Sequence, residues 1–360
     1  MKKQPPHHNE QPETVPKATA HLVRGQRPLK LAFFGTSDFA IPTLEILNSD
    51  SNSSHSISAV VTQPDKPTGR KAILTPPPTK TWAEKNNITI LQPKTLKDDD
   101  FFNTFKKLDP DICIVASYGK IIPERYLELP KYGFINIHPS LLPKYRGPSP
   151  IQTAIMNGDP APILSADRHS ERGRNWCRVS KETGITIMLM DKDVDHGPIL
   201  SSKPYYILHT TYYPQAEKDL AKIGAELLIE TLPKYILGEL KPVEQDHSKA
   251  TFTKILSRED GRIDWNKSAE EIYNKIRALN PEPRAWTTWQ NKALNIIMGE
   301  INNTEAKETA STVIRIENSI AVATKKCYLI LKQIQPEGGE EMDAVSFVNG
   351  HPSFLNSKLD

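Results

Sequence analysis

Short apolar runs recur along the first half of the chain. The first, residues 29–35, ends in a glycine, and the others are 57–61, 88–91, 111–116, 134–138 and 184–190. Between them, apolar residues fall at helical spacing at about 39–48, 79–86 and 98–108. Continuous apolar runs are typical of strands buried on both faces, and their alternation with helices predicts an α/β fold with an open, mostly parallel, Rossmann-like sheet.

The pattern changes in the second half. Residues 213–238 are helical in character, and the polar, proline-containing stretch 241–250 resembles a linker. A further helix is predicted at about 268–279, followed by short strand-like runs at 294–297, 312–316, 320–323 and 328–331. Several short strands joined by polar turns predict a small C-terminal β-barrel of the OB-like type.

These patterns divide the chain into segments. Residues 1–27, rich in Pro, His, Gln and Lys, are expected to be a disordered tail. The predicted divisions are then a first domain at 28–212, a helix and linker at 213–250, a β-rich domain at 251–350 and a tail at 351–360.

The composition of the chain mainly excludes some classes of protein. A chain of 360 residues with 38% hydrophobic and 25% charged residues is typical of a globular protein of two domains. The net charge of +3 gives little sign of nucleic acid binding, so any basic surface must come from local clustering. Three widely separated cysteines without CxxC spacing favour neither a disulfide framework nor a structural zinc site, and fit a reducing cytoplasm.

The sequence also bears on location. No apolar run approaches the ~20 residues that span a bilayer, and the N-terminus lacks the apolar core of a secretory signal. Glu10 and Glu13, with no amphipathic Arg- and Ser-rich pattern, argue against an organellar transit peptide. We therefore expect a bacterial-type cytoplasmic protein that does not bind membranes. We also expect it to be a monomer, although the sequence itself carries no sign of oligomeric state.

Candidate chemistry lies where predicted strands end. Asn136 and His138 are two residues apart near the end of one strand, so their side chains share a face. An amide and an imidazole in one cleft can donate hydrogen bonds to a developing oxyanion. Asp191, Asp193 and Asp195 follow another strand, and one carboxylate could orient the imidazole. From the residues alone this indicates only an acyl-transfer cleft, and both motifs are more often structural.

Further motifs in the sequence resemble those of a known enzyme family. The sequence resembles formyltransferases that use 10-formyltetrahydrofolate, in the segment from Asn136 to Gly147, in Thr183-Gly184, and in the spacing of Asp195 and Gly197. The segments that resemble the branch acting on methionyl-tRNA are 34–39, 62–70, 116–123, 261–265 and 276–281. The resemblance runs from about 29 to 335, nearly all of the chain that is expected to be ordered.

The resemblance implies specific roles. Asn136, His138 and Asp195 match the family's catalytic residues, and the folate site is implied to include Ser140, Leu141, Leu142 and Pro143. The implied reaction moves a formyl group from 10-formyltetrahydrofolate to the methionine on initiator tRNA. No metal is expected, because the formyl group is already activated on nitrogen. His196 is a weaker candidate than His138, since the family motif does not require it, and Asp191 and Asp193 are expected to shape the loop.

The resemblance also implies tRNA contacts, at Lys66, Arg70, Lys71 and Arg146. Here the sequence departs from the family, which usually continues after Arg70 with Gly and two Lys, where this chain has Lys-Ala-Ile. A second departure is an insertion at about 160–181. Such an excursion is usually a tolerated surface loop, although its arginines and Trp176 could instead contact tRNA.

Alternative functions remain open from sequence. An N-formyltransferase acting on an amino sugar nucleotide would share the catalytic segment but not the 62–70 loop or the C-terminal motifs. A glycinamide ribonucleotide formyltransferase would need no C-terminal domain. A tRNA-binding relative without catalysis would not need Asn136, His138 and Asp195. A dinucleotide oxidoreductase is disfavoured because Gly35 opens no GxGxxG motif.

Overall fold

The computed structural model describes residues 28–49, 55–69, 72–157, 159–160 and 181–360. The expected tail, Arg70, Lys71 and almost all of the insertion lie outside these ranges. The first ten strands are β1 (Leu29–Gly35), β2 (His55–Val61), β3 (Lys66–Thr68), β4 (Ile73–Thr75), β5 (Ile90–Leu91), β6 (Ile112–Ala116), β7 (Phe134–His138), β8 (Asp159–Pro160), β9 (Lys181–Leu189) and β10 (Ile199–Ile207).

The first sheet is mostly parallel, as the sequence predicts. Its order is β10-β9-β7-β6-β1-β2-β5, with β8 added beside the start of β9. The five strands from β7 to β5 are parallel, whereas β9 and β10 run antiparallel to their neighbours. Strands β3 and β4 form a separate hairpin. The carboxyl ends of the parallel strands therefore meet at one edge, where ligands bind in open α/β sheets.

Helices cover both faces of this sheet. They are α1 (Ile41–Ser49), α2 (Pro78–Lys85), α3 (Asp99–Leu108), α4 (Glu124–Leu127), α5 (Pro150–Asn157) and α6 (Tyr213–Ile236). Alternate residues of β1 serve opposite faces, because successive side chains of a strand point in opposite directions. Phe33 packs in the core formed with α1, α5 and α6, whereas Phe34 packs with Phe105 of α3 and Tyr126 of α4.

The C-terminal part contains a second, six-stranded sheet in which every pairing is antiparallel. Its elements are α7 (Ala269–Leu279), β11 (Ala285–Trp289), β12 (Lys292–Asn302), β13 (Val313–Ile316), β14 (Ser319–Ala323), β15 (Tyr328–Pro336), β16 (Met342–Asp343) and α8 (Ala344–Gly350). Together with the parallel sheet, this confirms the predicted fold class. In the described ranges no helix is both long and apolar enough to cross a membrane.

Helix α7 joins the two parts. It packs against α5, and its last residues, Ala278 and Leu279, belong to the core of the first sheet. Ser268 begins the helix with a capping box, in which its hydroxyl accepts from the backbone N–H of Glu271 and the Glu271 carboxylate accepts in return. The helix thus has a defined start in one domain and a buried end in the other.

Arg277, on the same helix, is 1% exposed and fixes the joint, by which we mean the contact of α7 with the first domain. Its guanidinium donates to the carbonyls of Leu208 and Thr211, in the loop that follows β10, and to Asn274 Oδ1 at 2.6 Å. It also lies 5.1 Å from the centre of the Tyr273 ring. Burial lowers the pKa of Arg277, so these acceptors must replace the water that the charge has lost.

We expect Arg277→Met to destabilise the protein by about 2 kcal/mol, because it leaves buried acceptors without a donor. Urea denaturation would measure the change. The matched control is Lys222→Met on α6, since the Lys222 side chain is 77% exposed and its loss should change little. Equal stability of the two variants would show that the guanidinium does not hold the joint.

Candidate active site

The sheet edge brings together three polar side chains that are distant in sequence. Asn136 and His138 lie at the end of β7, and Asp195 lies in the loop between β9 and β10. Asp195 Oδ1 lies 3.4 Å from Asn136 Nδ2, which donates to it, and 3.5 Å from His138 Nδ1. All three predicted catalytic residues therefore share one cluster.

His138 is held on both sides of its ring and is only 4% exposed. Its Nε2 lies 3.1 Å from the carbonyl oxygen of Tyr145, and its Nδ1 faces the Asp195 carboxylate. Both neighbours are acceptors, and a neutral imidazole can donate to only one of them. The ring is thus fixed in orientation by an acceptor on either side.

The Asp195 carboxylate is also bound through its second oxygen. Oδ2 accepts from the backbone N–H of Gly147 at 2.6 Å. The Asp195 backbone has a φ of 50°, in the left-handed region that costs energy for residues other than glycine. Two residues later, a Cβ on Gly197 would lie 2.1 Å from the Leu189 carbonyl oxygen. The Asp195-x-Gly197 spacing of this turn therefore has a steric reason within the chain itself, because only glycine fits at position 197.

The four residues expected at the folate site follow His138 directly. Ser140 is fully buried, and its hydroxyl donates to the carbonyl of Lys144 at 2.6 Å. Thr186 on β9 fixes the same loop, because its hydroxyl donates to the Ser140 carbonyl and accepts from the Leu142 N–H. Leu142 is buried, whereas Leu141 and Pro143 are half-buried. Ser140 is therefore a structural residue of the loop, and Leu141 and Pro143 are the more accessible members.

Arg146 is placed differently from what its expected tRNA contact requires. It is 4% exposed, and its guanidinium donates to Gln245 Oε1 at 3.0 Å and to His247 Nδ1 at 2.8 Å. The guanidinium also lies 5.8 Å from the ring of the exposed Phe252. In this structure Arg146 binds the linker, and its charge is buried away from any phosphate.

The basic loop, which carries the expected tRNA contacts Lys66, Arg70 and Lys71, is only partly described, because Arg70 and Lys71 lie outside the described ranges. Lys66 is exposed at the start of β3, with its Nζ 2.6 Å from Gln63 Oε1. Lys80 forms a 2.8 Å ion pair with Asp65. A hydrogen bond from Gln92 and this ion pair hold the pKa of Asp65 below its ordinary value. Among these cations, Lys66 is the one without a carboxylate partner in the described part of the loop.

Two residues that contact this region, Gln245 and His247, carry no sequence signal. Gln245 contacts the Asp195 loop from the linker, but a glutamine in a polar stretch looks like any solvated residue. His196 and His247 stack 4.0 Å apart, and His196 Nδ1 lies 2.6 Å from Asp191 Oδ2. Asp191 also accepts from the N–H of Asp193, which agrees with a loop-shaping role.

The described residues contain no group of three or more His, Cys, Asp or Glu side chains arranged to hold a metal ion. The cluster at the sheet edge offers an amide, an imidazole and one carboxylate. Such a set can bind a developing negative charge and guide a proton, which is the chemistry of acyl transfer.

Comparison with known proteins gives the family. The family described as formyl transferase matches residues 29–232, and the one described as formyl transferase, C-terminal domain, matches residues 255–352. A methionyl-tRNA formyltransferase from Halalkalibacterium halodurans is 41% identical over 330 residues, which are 91% of this chain and 96% of that protein. Its counterpart from Caldicellulosiruptor saccharolyticus is 41% identical over 90% of this chain and 97% of its own.

Solved structures share the fold at lower identity. An N-formyltransferase from Helicobacter canadensis, in complex with folinic acid and dTDP-3-aminofucose, is 17% identical with a TM-score of 0.60, covering 87% of this chain and all of its own. HypX from Aquifex aeolicus, in complex with tetrahydrofolic acid, is 12% identical with a TM-score of 0.57, covering 92% of this chain and 48% of its own. The motif-based resemblance is confirmed by the two family matches and the aligned relatives: the chain belongs to the formyl transferase family.

Proposed function

We propose that this protein transfers the formyl group of 10-formyltetrahydrofolate to the α-amino group of methionine carried by initiator tRNA, for the initiation of translation. The relatives of about 40% identity over about 90% of the chain carry this name, and both domains of the family are present. The observation that carries the proposal is the convergence of Asn136, His138 and Asp195 at one sheet edge.

The reaction consists of an addition and an elimination. The α-amine attacks the formyl carbon, a new C–N bond forms, and the carbonyl electrons move onto oxygen. Collapse of this tetrahedral species breaks the bond to N10 of the folate, which leaves with a proton, while the amine loses one. The folate supplies a formyl group that nitrogen already activates, so no step requires a metal.

In the proposed mechanism the protein stabilises the charge on oxygen and guides the protons. Asn136 Nδ2 and the His138 ring are the donors for the oxyanion, after giving up their ground-state partners. The Asp195 carboxylate holds the ring and, directly or through water, receives the proton from the amine. The Gly147 N–H, bound to the second oxygen of Asp195, keeps the carboxylate in place while the two donors exchange partners.

The folate would lie along the loop that follows β7. Leu141 and Pro143 are half-buried and follow His138 closely in the chain, so they can offer apolar contact to a ring system. Ser140 and Leu142 are buried and bound by Thr186, and they would support the loop from beneath. In this proposal Leu141 and Pro143 line the folate site, and Ser140 and Leu142 hold the loop.

The tRNA would contact the basic loop and the C-terminal domain. Lys66 is exposed, and Arg70 and Lys71 follow it closely in sequence, so the three cations could contact phosphates of the acceptor end. Arg146 is better assigned to holding the linker, because its guanidinium is buried between Gln245 and His247. We further propose that the protein acts as a monomer in the cytoplasm.

An amino sugar nucleotide is the rival acceptor. It is favoured only by structures that share the fold at low identity, such as the Helicobacter canadensis N-formyltransferase. Against it, the methionyl-tRNA formyltransferases align with this chain along nearly their full length, including the C-terminal domain.

We expect the protein to convert 10-formyltetrahydrofolate and methionyl initiator tRNA into formyl-methionyl-tRNA. His138→Ala should lower kcat by about 10²–10³-fold, which is the usual loss on removing an oxyanion donor. Asp195→Asn should also lower it, because the carboxylate that holds the ring becomes neutral. The matched control is Asp193→Asn, which removes an exposed carboxylate from the same loop. Formylation that survives in His138→Ala would remove the ring from the mechanism.

Lys66→Ala should raise the KM for tRNA and leave kcat unchanged, because a phosphate contact contributes to binding before the chemical step. If Lys66 meets one phosphate, the slope of log affinity against log salt should fall by about 1. Lys85→Ala, an exposed lysine at the end of α2, serves as the control. An unchanged salt slope in Lys66→Ala would mean that the tRNA does not touch this side chain.

A further inference from the structure

The linker between the two domains passes along the active site. It begins after α6 ends at Ile236, and it is fastened to the first domain at two places. Val243 exchanges backbone hydrogen bonds of 2.7 and 2.8 Å with Ile199, the first residue of β10. Further on, Thr251 and Thr253 form backbone hydrogen bonds on either side of Arg146. The stretch between these points is thereby held beside the loop that carries Asp195.

Gln245 is the buried side chain of that stretch, with an exposure of 5%. Its Nε2 donates to the backbone carbonyl of Asp195 at 3.0 Å and to that of Gly197 at 2.7 Å. Its Oε1 accepts from Arg146 at 3.0 Å. The Gln245 amide therefore donates to two carbonyls of the Asp195 turn, and the Arg146 guanidinium fixes the orientation of that amide.

The two carbonyls belong to a turn whose backbone is in an unfavourable conformation. Asp195 has its left-handed φ of 50°, a conformation that persists only where the surroundings enforce it. The carboxylate of the same residue must point at His138 and at the Gly147 N–H. A small rotation of the turn would move both oxygens, and displacements of about 1 Å can cost on the order of 10²-fold in rate.

A second set of contacts joins the linker to the other side of the turn. Arg146 also donates to His247 Nδ1 at 2.8 Å, and the His247 ring stacks on His196 at 4.0 Å, with 3° between the ring planes. His196 in turn lies 2.6 Å from Asp191 through Nδ1. The linker thus contacts the Asp195 turn in two ways. Gln245 binds the carbonyls of residues 195 and 197, and His247 stacks on the ring of His196, which lies between them in sequence.

We propose that Gln245 is a positioning residue for formyl transfer, which holds Asp195 in its left-handed conformation through the carbonyls of residues 195 and 197. Gln245 does not touch the reacting atoms, and it acts through Asp195. The proposal rests on the proposed function for its kinetic part. Its conformational part is independent of which substrate the protein formylates.

Two substitutions separate the donor role of Gln245 from its contact with Arg146. Gln245→Glu keeps an acceptor for the guanidinium but replaces the donating NH2 by an oxygen. Gln245→Met removes the donor and the strong acceptor at similar length. Glu244→Gln, at the exposed neighbouring position, controls for a change of charge in the linker.

If the donor role is correct, Gln245→Glu and Gln245→Met both lower kcat, on the order of 10²-fold, and leave the KM values for folate and tRNA unchanged. Glu244→Gln should match the wild type. In hydrogen–deuterium exchange, the amides of residues 191–197 should exchange faster in both Gln245 variants, while those of β1 and β6 keep their protection. This pattern differs from a merely structural loss, in which the sheet strands would also exchange faster.

Three results would overturn the proposal: wild-type kcat in Gln245→Glu, unchanged exchange at 191–197, or a loss of protection throughout the sheet. A wild-type protein that does not formylate methionyl-tRNA would instead reject the proposed function. In that case the exchange of the 191–197 amides still decides whether Gln245 holds the turn.

Discussion

The carboxylate of Asp195 is the group on which the active site depends. An ionised carboxyl close to the interior is stable only with hydrogen-bond partners, since its lost hydration must be replaced. Here both oxygens have partners, from β7 on one side and from Gly147 on the other. The left-handed turn at Asp195 and the close packing of Gly197 against β9 accompany this placement.

The antiparallel pairing of β7 with β9 makes that placement possible. It sets Asn136 opposite Met188 and His138 opposite Thr186. Thr186 then binds the loop that follows His138, and the turn after β9 can fold back toward β7. A single strand reversal at one side of an otherwise parallel sheet thus brings a strand end and a loop from distant parts of the chain into contact.

Much of the fold and part of the candidate site could be predicted from the sequence. The buried strands of the first sheet are continuous apolar runs, and the spacing of Asn136 and His138 near a strand end indicates a shared face. The β3–β4 hairpin and the short helix α5 carry no comparable pattern. The family resemblance implied a tRNA contact for Arg146, and only the packed linker shows that this charge is buried. Gln245 was inaccessible because its role depends entirely on tertiary contacts.

The pairing of β8 with the start of β9, at the two ends of the insertion, has a practical consequence. Asp159 pairs with Glu182, and Pro160 pairs with Lys181, so the chain leaves and returns at neighbouring points of the sheet. The length of the chain between Pro160 and Lys181 can therefore vary without shifting the register of β9 against β7, because the entropy cost of closing a loop grows slowly with its length. The same geometry makes this position suitable for grafting an affinity handle without cutting any described strand.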